Sequence, residues 1–193
     1  VLGKNRYNRP SIRLFLESHV LLGDFGPLDI LSDKLSRARP ALWRQFAPRF
    51  AAISILSGAY RKAVETAEAA LAARLSRRTR EWCSFYVGLA RYMEKDYSPA
   101  VTALLPLARA GRDPLVVALS GYLCSVGAVR ADEGNVALPV DDVPAAAAEA
   151  RDRIATRFGK ETWRRYLERE RADIRIVILG KLTDQASSWL FSA

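Results

Sequence analysis

The residues of this chain that could carry chemistry are few: two cysteines, Cys83 and Cys124, a single histidine, His19, and an adjacent carboxylate pair, Asp141-Asp142. A thiol beside a base would be a nucleophile, a Cys/His cluster would hold a metal, and paired carboxylates could act as acid and base. The spacing supports none of these. Both cysteines sit inside apolar stretches of helical character and read as small buried hydrophobes, and two cysteines do not settle the redox compartment. His19 stands alone on a helix and reads as a packed core or groove residue. The acidic pair lies in a turn-rich stretch with Gly134-Asn135 and reads as turn chemistry or solvated charge. The glycines are scattered singly, so no phosphate-binding loop is present. The expectation is a non-enzymatic protein that needs neither cofactor nor metal.

Charge is the other chemistry available. Lys and Arg number 30 against 21 Asp and Glu, a formal net charge of +9. Such an excess attracts nucleic acid, acidic protein or a membrane surface, and the attraction weakens with salt. The arginines are spread along the chain, however, and solvated helix faces explain most of them. Half of the residues are hydrophobic, enough for one sizeable core. No run approaches the roughly 18 apolar residues of a membrane span. The sequence opens at Val1 without an initiator methionine, so a processed protein or part of a longer one is expected, in a cytoplasmic or periplasmic setting that the residues leave open.

The elements that would position these residues are helical. Phe85 to Leu107 reads as a helix, a tight turn at Lys95-Asp96 and a second helix from Tyr97, with Gly88 and Ala100 small where the two would touch. Leu104 and Leu107 continue the buried stripe. The pattern recurs upstream: Gly23-Asp24-Phe25 and Gly58-Ala59-Tyr60 are followed three residues on by Leu28 and Ala63. The aromatics Phe25, Tyr60 and Tyr97 are 35 and 37 residues apart. Ten residues before each stands Phe15, Phe50 or Val87, followed by Leu16, Ala51 or Gly88.

These residues resemble the tetratricopeptide repeat, a helical hairpin of about 34 residues with small and aromatic residues at its packing positions. Leu16 and Leu28 are large for those positions, which makes the first unit a looser or capping one. The resemblance implies an all-α fold, an α-solenoid of three to four hairpins at about 10–40, 48–75, 81–110 and 115–158. A basic tail, 1–9, would precede it and C-terminal capping helices, 160–193, would follow.

Within that frame, helices are expected from Pro10-Ser11, with Ile12, Phe15, His19 and Leu22 recurring at helical spacing, from Phe25 to about Arg37, from Pro48 to Ser57, from Tyr60 to about Leu75, from Glu81, and from Leu115 to Val129. Pro40 to Arg49 reads as irregular because Pro48 would break or start a helix. An acidic loop, 132–144, follows, and 174–179 is the one place where a strand competes with helix.

Stacked hairpins form a concave surface lined by the first helix of each unit. By the resemblance, the third unit presents Trp82, Phe85, Leu89, Tyr92 and Met93 to that groove, the second Gln45, Ala52, Ile55 and Leu56, and the first Arg13, Glu17, Val20 and Leu21. An apolar, aromatic groove suits a partner protein or peptide. The chain's own C-terminal helix, with Trp163 and Trp189, is an equal claimant. The expected function is therefore a protein-interaction adaptor, assembly factor or scaffold, with oligomerisation open. An arginine-driven nucleic-acid-binding module, or the docking part of a larger enzyme, is the alternative.

Overall fold

The computed structural model describes residues 8–134 and the single position 145, and the described chain is all helical. Seven helices follow one another: α1 (Arg9–Leu22), α2 (Gly26–Ala38), α3 (Pro40–Leu56), α4 (Tyr60–Leu71), α5 (Arg77–Met93), α6 (Tyr97–Ala110) and α7 (Pro114–Glu133). Each packs on its neighbour in sequence, and α5 touches α3 and α7 as well as α4 and α6. The contacts place α5 at the centre, and its residues from Glu81 to Ala90 are buried without a break apart from half-buried Ser84. Its first turn stays at the surface, where Arg77, Arg78 and Arg80 are exposed.

The three connections α1–α2, α3–α4 and α5–α6 are built alike. Each contains a left-handed residue, Gly23 (φ 67°), Gly58 (φ 81°) or Lys95 (φ 65°). Each is closed by the same pair of backbone bonds. Asp24, Ala59 and Asp96 donate to the carbonyls of His19, Ser54 and Arg91, at 3.0, 2.8 and 3.0 Å, while Gly23, Gly58 and Lys95 donate to those of Val20, Ile55 and Tyr92. This is the Schellman closure, which satisfies carbonyls that a helix end would otherwise orphan. It recurs two residues before each of Phe25, Tyr60 and Tyr97, the same positions that define the sequence period.

The close approach expected at the third pair is present. A Cβ at Gly88 would lie 2.6 Å from Leu104 Cδ2, so α5 and α6 meet where only hydrogen fits. Ala100, Leu104 and Leu107 are buried as the stripe requires, and Tyr97 lies edge-on to Tyr92 at 5.5 Å between ring centroids. The first pair differs. Leu16 and Leu28 are buried in a separate cluster with Ile12, Val20, Leu35, Phe46, Phe50 and Ile53, and these bulky side chains hold the α1 and α2 backbones apart.

Four expectations about elements are corrected. The stretch 40–49 is not irregular: α3 is one helix with Pro48 inside it. An internal proline costs about 3 kcal/mol, but Phe46, Phe50 and Ile53 around it are buried, and each such side chain returns about 1.5–3 kcal/mol. Helix α4 stops at Leu71 rather than Leu75, and α5 starts at Arg77 rather than Glu81 because the Ser76 side chain caps it, accepting from Thr79 N at 3.2 Å. On α1 the buried stripe is Ile12, Leu16 and Val20, so Phe15 and Leu22 are turned outward. The second half of the fourth hairpin, the acidic loop beyond Gly134, the 174–179 segment, the capping helices 160–193 and residues 1–7 of the basic tail lie outside the described residues.

Candidate partner-binding site

The residues expected to line a groove fall into three groups. Trp82, Phe85 and Leu89 do not line an open surface: they are 6%, 0% and 0% exposed and belong to the central cluster. The reason is that α5 is enclosed by α3, α4, α6 and α7, so its aromatic face is core. Trp82 packs edge-on against Phe85 with ring centroids 5.7 Å apart, and Tyr86 sits beside both. Ala52, Ile55 and Val20 are likewise buried. Tyr92 and Met93, near the end of α5, are half-buried against the same cluster, and burial beside Tyr97 raises the Tyr92 phenol above its ordinary range.

Arg13 and Glu17 are half-buried and bonded to each other, with Arg13 Nε donating to Glu17 Oε1 at 2.7 Å. Arg49 of α3 shares this neighbourhood. Burial and the nearby Arg13 lower its pKa, and its guanidinium lies 5.8 Å from the Phe46 ring centroid. This part of the surface has polar handles but is small.

Large apolar side chains are exposed elsewhere. Leu14, Leu21 and Leu22 on α1 and Ile30 on α2 are 69%, 67%, 76% and 57% exposed, and Phe15 joins them, packed on His19 at 4.3 Å between rings. His19 Nδ1 makes no hydrogen bond and lies 3.4 Å from the Asp24 carboxylate. Of these residues only Leu21 was expected at the surface. The sequence carries two apolar stripes on α1, and periodicity does not say which faces in.

A polar bracket went unseen in the sequence. The buried Glu81 carboxylate accepts from the backbone N–H groups of Arg112 and Asp113, the latter at 2.9 Å, and from Arg77 Nε. The buried Asp113 carboxylate accepts from Trp82 Nε1 at 3.2 Å, from Arg78 Nε at 3.1 Å and from Leu115 N, which caps α7. The one legible signal was Asp113-Pro114, an acceptor placed just before a helix-starting proline. These saturated carboxylates tie α5 to the α6–α7 connection. The thiols of Cys83 and Cys124 are free and buried, and burial pushes both up to about 12.

Residues 27–192 match a protein family described as "Uncharacterised Treponema protein". The chain belongs to that family. The family's description does not name the tetratricopeptide repeat, so the match leaves that expected kinship unconfirmed. A relative from Treponema pallidum (strain Nichols), called "Uncharacterized protein", is 28% identical over 194 residues, covering 99% of this chain and 61% of the relative. The chain thus spans about three-fifths of that relative's length. No solved structure matches the chain. Among the described residues, no helix is long and apolar enough to cross a membrane, and no three His, Cys, Asp or Glu side chains are grouped as a metal site would need.

Proposed function

We propose that this chain is a non-catalytic, tetratricopeptide-like helical-repeat module that holds a partner protein. The observation that carries the repeat reading is the recurrence of one Schellman closure at Gly23, Gly58 and Lys95, at 35- and 37-residue intervals, with α3, α5 and α7 touching in succession. In such a stack each pair buries its face only against its neighbours. On α1, Leu14, Leu21 and Leu22 are left exposed, and exposed leucines of this kind are what a protein partner would cover.

The groups with chemical potential are spent on structure, which supports the non-catalytic reading. A thiol pushed up to about 12 is a poor nucleophile at neutral pH. The carboxylates of Glu81 and Asp113 are occupied by hydrogen bonds from named donors. The test is co-purification from the source cells of the intact chain and of a Leu14→Lys, Leu22→Lys variant with unchanged circular dichroism. The reading predicts that one specific protein is retained by the parent and lost by the variant. Identical partners for both would contradict it.

A further inference from the structure

The helices run alternately in opposite directions, so the α2–α3, α4–α5 and α6–α7 connections share one edge of the molecule with the start of α1. Contacts fix this arrangement. Arg77 at the start of α5 donates to the carbonyl of Ala110 at the end of α6 at 3.4 Å, while Lys62 at the start of α4 reaches Asp29 near the start of α2 at 3.3 Å, on the opposite edge.

The two edges differ in charge. The first presents Arg37 and Arg44 around the α2–α3 junction, Arg74 and Arg80 around α4–α5, and Arg112 in α6–α7, all exposed and none ion-paired with a described residue. Its carboxylates are withdrawn: Glu81 and Asp113 are buried, and their ion-pair partners Arg77 and Arg78 still keep side chains 57% and 70% exposed. The opposite edge is balanced, with Asp24 on one connection, Glu94, Lys95 and Asp96 on another, and Lys62 held by Asp29 and Asp33.

We propose that this arginine edge is a docking surface for the sugar-phosphate backbone of duplex nucleic acid, bound without sequence preference. The cations recur at three successive connections on this edge. Neighbouring helices pack about 8–10 Å apart, so connections on one edge follow each other at up to about 20 Å and the series extends over several tens of ångströms. A duplex carries one charge per about 1.7 Å of its axis, which offers every arginine a phosphate. The planar guanidinium fork matches two phosphate oxygens, and the edge is built from arginine almost to the exclusion of lysine.

The other anionic occupants are less well served. Single strands need aromatic platforms, but Trp82 is buried and Trp43 is packed against both core clusters. A membrane surface is usually gripped by apolar side chains beside the cations, and the large exposed ones among the described residues lie on α1 and α2 at Leu14, Phe15, Leu21, Leu22 and Ile30, not in the connections. The edge is separate from those side chains, so the inference goes beyond the protein-holding reading and stands or falls apart from it.

The experiment titrates the full chain into a labelled random-sequence DNA duplex of about 24 base pairs over a salt series, with polyglutamate and anionic-lipid vesicles as parallel ligands. The expected result is duplex binding that falls steeply with salt. Arg74→Glu with Arg80→Glu should weaken it at least tenfold and flatten the log–log salt slope by about 1.8, or 0.9 per lost contact. Arg61→Glu with Arg130→Glu, an equal change in net charge placed away from the arginine edge, should stay within about threefold of the parent. Equal weakening by both variants, no duplex binding at about 50 mM salt, or tighter binding to polyglutamate or vesicles would each overturn the proposal.

Discussion

Lys95 holds a left-handed backbone where the two equivalent turns use glycine, and that difference makes the repeat testable at single residues. A side chain in this region costs about 1–2 kcal/mol, part of which the greater freedom of an unfolded glycine cancels. Lys95→Gly should therefore stabilise the fold by about 0.5–1 kcal/mol, while Gly58→Ala should destabilise it by about 1 kcal/mol, both read from urea denaturation. Gly88→Ala puts a methyl on the Leu104 side chain and should cost about 1–3 kcal/mol. The smallness of residue 88 was legible from the sequence because close helix approach allows few residue types. The bracket of Glu81 and Asp113 was not, because its partners are more than 30 positions apart along the chain. Glu81→Ala would leave the buried N–H of Asp113 without this acceptor, at about 1–3 kcal/mol in a thermal or chemical melt.

Among elements, α1 and α5 are opposites. α5 is enclosed by four helices, whereas α1 rests on α2 through few backbone approaches and buries only Ile12, Leu16 and Val20. Local opening follows buried apolar contact, so amides of α1 should exchange with solvent well before those of α5 in native-state hydrogen exchange. Matched protection of the two helices would show that α1 is covered by something more than the described contacts. The sequence placed the helix pairs within a few residues but misjudged details of α1, α3, α4 and α5. Local rules gave Pro48 the power to break α3, ended α4 late and put Phe15 inward, while the burial of Phe46, Phe50 and Ile53 and the cap at Ser76 decided otherwise.

At the scale of the whole molecule, the fold buries groups that must stay neutral. Burial raises Cys83 and Cys124 from 9.0 to about 12 and raises Tyr86 as well. The unfolded chain loses these protons first as pH rises. Their contribution is thus complete below about pH 9 and is lost progressively towards pH 12, by at most about 1.4 kcal/mol per pH unit for each group. The melting temperature should fall across that window, and Cys83→Ala with Cys124→Ala should flatten the fall. The candidate site was less legible than the fold. Tetratricopeptide geometry sent Trp82, Phe85 and Leu89 to a groove, but those side chains were needed to fill the space between α3, α5 and α7. The surface that remained apolar is on α1, where two stripes of similar hydrophobicity made the inward face a matter of tertiary packing.

The exposed leucines of α1 are proposed to hold a partner protein. The most direct test is a photo-crosslinking amino acid placed at position 22 and, as control, at the exposed position 65 on α4, expressed in the source cells. The account predicts a crosslink from position 22 to one defined protein, absent from position 65. Crosslinks that are the same from both positions, or none from position 22, would contradict it.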